Sequence, residues 1–84
     1  MIGMHPGEYI SEVFVEGMRL SQREIAEKLG VSTSTVSRIL GCTMAVTPEM
    51  AIKLEGALGR SAESWLKMQN IHDLKKLREA SVAA

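Results

Sequence analysis

The chain has 84 residues, 45% apolar but only 4% aromatic, with a net charge of zero at neutral pH. That length allows one domain around one small core of aliphatic and Met side chains, and burial this limited favours extra stability from dimerisation. A neutral total argues against an indiscriminate nucleic-acid binder, and a single cysteine, Cys42, rules out an internal disulfide framework.

The first helix is expected to start at Pro6, with His5 before it and Glu8 in its first turn, where a negative charge suits the helix dipole. Ile10, Val13 and Phe14, with Met18 one turn on, form its buried stripe, and Gly17 ends or loosens it. Ser21 caps the second helix, Glu24 completes a capping box, and the helix ends at Leu29. Ser32 caps the third, which runs from Thr33 to Leu40 with Gly41 as its stop.

A loop from Cys42 to Val46 leads to the fourth helix, capped by Thr47 with Pro48 in its first turn. It buries Ala51, Leu54 and Leu58 and stops at Gly59. The fifth helix, capped by Ser61, runs through Trp65, Leu66 and Gln69 and continues, or restarts near Ile71, through Leu74 and Leu77. Trp65 and Leu66 close the core. Leu74 and Leu77 have little chain left to pack against and are candidates for a dimer or partner surface. Residues 80–84 are expected to fray.

The stretch Gln22–Gly41 reads as two short helices joined by a tight turn. Ala26 lies at their crossing, where a small side chain lets the axes approach. Gly30 is expected at positive φ, where a Cβ costs energy. Val36 points inward, and Ile25, Leu29, Val31 and Ile39 supply the rest of the buried side. The outward side of the third helix carries Thr33, Ser34, Ser37 and Arg38, all able to bond base edges or phosphates. A helix-turn-helix places such a helix in the DNA major groove. There Arg38 can grip guanine O6 and N7 with two bonds, and Gln22 can reach a phosphate at the start of the second helix. The bland alternative is an αα-corner with a solvated polar face, in which Arg38 pairs with a carboxylate.

Charge is uneven. Residues 1–18 carry three glutamates and no Lys or Arg, whereas residues 19–60 carry six basic and four acidic side chains. A locally basic middle suits a small DNA footprint.

Enzyme and metal readings are weak. His5 and His72 lie far apart in sequence, Asp73 is the sole aspartate, and Cys42 has no neighbouring base. No phosphate loop is present, and the six methionines read as core filler. No cofactor is expected. The start lacks the pattern of a signal peptide and no apolar run is long enough to span a membrane, so a cytoplasmic location is expected.

His5-Pro6-Gly7-Glu8, the helix-turn-helix ending Val36-Ser37-Arg38-Ile39-Leu40, Thr47-Pro48-Glu49-Met50-Ala51, and Trp65-Leu66-Lys67-Met68-Gln69 followed by Asp73-Leu74 stand out together. They resemble the HigA-type antitoxins of the lambda-repressor-like helix-turn-helix superfamily, some of whose members are labelled virulence-associated protein I. The resemblance runs from His5 to about Leu77. It implies an antitoxin that dimerises, binds double-stranded operator DNA, represses its own operon and neutralises a HigB-type mRNA endonuclease toxin. It places base-reading positions at Thr33, Ser34, Ser37 and Arg38 and a phosphate contact at Gln22. There is one departure. The family usually reads Asn-Gly-Lys after the recognition helix, and Gly41-Cys42-Thr43 stands here, with Thr43 in place of the phosphate-binding lysine and the positive-φ glycine moved to Gly41.

The expectation is therefore an all-α, five-helix lambda-repressor-like helix-turn-helix domain over residues 1–84, with a C-terminal helical extension at about residues 70–80. The alternatives are a solitary regulator of the same fold without a toxin, and a helical protein-interaction module that does not bind DNA.

Overall fold

In the computed structural model, which describes residues 4–83, the chain forms five helices and no strand among those residues. The first, α1, is α-helical over Pro6–Ile10 and continues with π geometry over Ser11–Gly17. Then follow α2 (Gln22–Leu29), α3 (Thr33–Leu40), α4 (Pro48–Leu58) and α5 (Ala62–Ala83). No helix among the described residues is long and apolar enough to cross a membrane.

The core is aliphatic around one indole. Trp65, Ile10, Ile25, Ile39, Leu54 and Val36 are fully buried, with Phe14, Ala26, Leu29, Val46, Met50 and Ala51 around them. Tyr9 meets the Trp65 ring edge-on at 5.6 Å and is itself covered by the Arg60 guanidinium, 4.8 Å from its centroid. The methionines divide. Met50 and Met68 fill the core, Met44 is half-buried against it, and Met18 stands in solvent.

The caps expected from the sequence are formed. Ser21 and Glu24 make the reciprocal capping box, and Ser32, Thr47 and Ser61 each accept a backbone N–H three residues on. The α5 helix begins with a further anchor, the Glu55 carboxylate accepting the Ala62 N–H at 2.8 Å.

Three details differ from the sequence expectation. Met18 falls on the expected buried stripe of the first helix, but it is 61% exposed. The π segment is the reason: the Met18 N–H bonds the Val13 carbonyl, five residues back, so each turn takes up more chain than a 3.6-residue repeat allows. The apolar face after Phe14 is continued by Leu20, whose N–H bonds the Phe14 carbonyl. Of the two readings of the fifth helix the continuous one holds, and it stays helical past residue 80, where fraying was expected. It is continuous to Ala83, and Ala84 lies outside the described residues. Leu58, finally, is only half-buried.

Candidate nucleic-acid interface

The α2 and α3 helices are locked to each other before any side chain faces outward. Gly30, at φ 71, ends α2 in the left-handed region, and the Val31 N–H reaches back to the Ala26 carbonyl. Ala26, Val36 and Ile39 are buried where α2 and α3 pack, with Val31 half-buried beside them. The opposite side of α3 is open: Thr33, Ser34, Ser37 and Arg38 are all exposed. The Ser34 hydroxyl lies 3.4 Å from that of Ser32, whose oxygen is committed to the cap. None of the ion pairs among the described residues involves Arg38, so its guanidinium is available to a ligand. Gln22 opens α2 and is exposed, next to Arg23, which pairs with Glu27 at 3.4 Å.

The turn after α3 departs from expectation in its glycine. Gly41 has φ −81, an ordinary value, and the left-handed residue is Cys42 at φ 60. The turn needs that conformation one residue after Gly41, and a cysteine adopts it at a cost of roughly 1–2 kcal/mol. Thr43 is exposed, yet its hydroxyl and its N–H both donate to the Arg38 carbonyl, at 3.1 and 3.0 Å. It therefore closes the end of α3.

The first turn of α1 braces this same turn. A Cβ on Gly7 would overlap the Ile39 carbonyl, so only glycine lets α1 approach the end of α3 this closely. The Cys42 thiol donates to the Leu40 carbonyl at 3.9 Å. Burial, and then the Glu8 charge, push the thiol above its usual range, which keeps it protonated and unreactive.

Three structural roles escaped the sequence reading. Gln69 is buried: its Oε1 accepts the Val46 N–H at 2.8 Å and its Nε2 donates to Asp73 at 3.0 Å, tying the loop before α4 to α5. A glutamine four residues after Trp65, within a helix's apolar side, was the available signal. His5 is the N-cap of α1, its Nδ1 accepting the Gly7 N–H at 2.9 Å. His72, distant in sequence, meets it edge-on with ring centroids 5.0 Å apart. No group of three or more His, Cys, Asp or Glu side chains among the described residues could hold a metal ion.

Residues 16–65, more than half of the chain, match the Helix-turn-helix family. The chain is 37% identical over 75 residues to virulence-associated protein I of Dichelobacter nodosus, a match covering 89% of this chain and 69% of that protein. Among solved structures, Pseudomonas aeruginosa antitoxin HigA with the higBA promoter is similar at a TM-score of 0.88 and 28% identity, over 96% of this chain and 88% of that one. The chain belongs to the helix-turn-helix family, in the group of the HigA-type antitoxins. The uncharacterised HTH-type transcriptional regulator YddM of Escherichia coli strain K12 is also similar, 44% identical over 69 residues, 82% of this chain and 72% of the regulator.

Proposed function

We propose that this chain is a cytoplasmic antitoxin that binds its operator as a homodimer, represses its own operon and neutralises a HigB-type mRNA endonuclease toxin. The observation that carries the reading is the outward side of α3, where four polar side chains lie exposed and Arg38 has no ion-pair partner among the described residues. The similarity to an antitoxin HigA solved with promoter DNA supports it.

In this reading α3 enters the major groove. Arg38 reads a guanine, Thr33, Ser34 and Ser37 contact neighbouring bases, and Gln22 meets the phosphate backbone. Thr43, its hydroxyl and N–H both bonded to the Arg38 carbonyl, stands beside the phosphate backbone without an ionic contact. One short recognition helix is a small footprint, so two copies about 34 Å apart would read successive turns of the duplex. Residues 1–84 then act as one DNA-binding unit, with the far part of α5 as its pairing arm.

A gel-shift titration with a duplex from upstream of the gene tests operator binding. Co-expression with the product of a neighbouring toxin-sized reading frame, followed by copurification, tests the toxin. Operator binding without a copurifying partner would leave a solitary regulator. Copurification without operator binding would leave a protein-interaction module.

A further inference from the structure

His5 stands where three elements meet. Its Nδ1 accepts the Gly7 N–H, so that nitrogen carries no proton in the capped state. The ring is 2% exposed and lies against His72 of α5. Two residues on, Gly7 abuts the Ile39 carbonyl in the last turn of α3. One residue further, the Glu8 charge acts on the Cys42 thiol, and the Met44 backbone lies beside the His5 ring. The start of α1 thus packs against residues 39–44, and the capped conformation of His5 sets their path.

We propose that neutral His5 is a positioning residue for α3, a latch that holds the end of the recognition helix and the His72 turn of α5 against α1 and is released by protonation. The latch stands on the junction itself; its consequence for operator affinity rests on the DNA-binding reading above. A proton on Nδ1 would turn the cap's acceptor into a donor facing the Gly7 N–H. It would also put positive charge at a helix N-terminus, where the dipole opposes it.

The charged groups acting on His5 are His72 and Asp73 of α5 and Glu8 of α1, and Cys42 in the turn after α3 faces Glu8. Asp73 already accepts from Gln69. Burial first, and the neighbouring His72 second, hold the His5 imidazole below its ordinary 6.5, against the smaller opposing pull of Asp73, Glu8 and the Met44 backbone. The folded state therefore takes up this proton less readily than the unfolded chain. The latch contributes in full above pH 6.5 and is lost as pH falls below that value towards the lowered folded pKa.

The test uses the full chain. NMR follows the His5 ring, the Gly7 amide and the amides of residues 41–46 from pH 8 down to the acid limit of folding. Urea unfolding is measured over the same range for wild type, His5→Asn and His72→Gln. The His5 ring is expected to titrate below 6.5, with the Gly7 and 41–46 amides moving at the same midpoint. The wild-type unfolding constant should rise with acid more steeply than that of His5→Asn, by up to about tenfold per pH unit, because Asn caps without titrating. His72→Gln should raise the His5 midpoint by removing a like charge.

A His5 ring titrating at or above 6.5, or parallel wild-type and His5→Asn profiles, overturns the latch. If His5→Asn does not fold, the wild-type and His72→Gln titrations decide. For the DNA arm, a duplex from upstream of the gene is titrated at a pH above 6.5 and again below the His5 midpoint. Wild type should lose affinity at the lower pH, and His5→Asn should keep it. Binding by neither at the higher pH removes the operator reading while the NMR and unfolding arms still judge the latch. Wild-type binding that ignores a completed His5 titration removes the positioning role.

Discussion

Arg38 combines a guanidinium charge, an exposed place on α3 and the absence of any ion-pair partner among the described residues. Arg38→Ala should lower operator affinity by about 1–3 kcal/mol and relax the preference at one base position. Gln22→Ala should weaken all sequences about equally, since a phosphate contact carries no base information. Binding-site selection on the two variants separates these outcomes, and an unchanged preference in Arg38→Ala would rule out base reading. Thr43 shows why exposure alone is a poor guide. Its side chain is exposed, yet its hydroxyl is bound to the Arg38 carbonyl. Thr43→Lys should steepen the slope of log K against log salt by about 0.9 per added phosphate contact. It should also cost about 0.5–1.5 kcal/mol of fold stability through the lost hydrogen bond, visible as a lower melting temperature. An unchanged salt slope would turn this loop away from the DNA.

At the scale of single helices, local signals located the elements well. Every N-cap named from the sequence is formed, and at α1 His5, the residue before Pro6, supplies one more. Capping is a matter of three or four consecutive residues, so it is legible without knowing the fold. The buried face of α1 was less legible. A 3.6-residue repeat carries Ile10 to Phe14 and on to Met18, but hydrogen bonds over five residues past Ser11 turn Met18 outward. Gly7 is the other case: nothing in its neighbours announces that the Ile39 carbonyl will lie against it. Gly7→Ala should destabilise the fold by about 1–3 kcal/mol, because one of two backbones must shift. Thermal melting checks this, and a wild-type melting temperature would mean that α1 gives way easily.

For the whole molecule, the deciding shape is one long final helix. At 1.5 Å per residue, α5 spans about 33 Å, much of the 41 Å long axis of a body 21 Å across. Its first half is held by Trp65, Met68 and Gln69; beyond Asp73, Leu74 is 47% and Leu77 66% exposed. If these two residues make the dimer contact, Leu74→Lys with Leu77→Lys should shift the chain to monomer by light scattering. Helicity and melting should change little, because neither side chain supports the core. Operator binding should fall with the dimer. Truncation after Asp73 should act alike, since it spares the Gln69–Asp73 hydrogen bond. An undiminished dimer in both variants would place the contact elsewhere.

Periodicity, caps and punctuation by themselves determined the all-α class, the helix-turn-helix and the exposed polar side of α3, because each depends on residues within a turn or two of one another. The short motifs carried the family. Only the tertiary structure decided why those motifs have their residues. Gly7 meets Ile39, Gln69 holds Val46 and His5 finds His72 across long stretches of chain, and Cys42 takes the left-handed turn because the α3–α4 connection demands it there. Such contacts depend on how helices pack in three dimensions, which neither spacing nor composition along the chain encodes on its own.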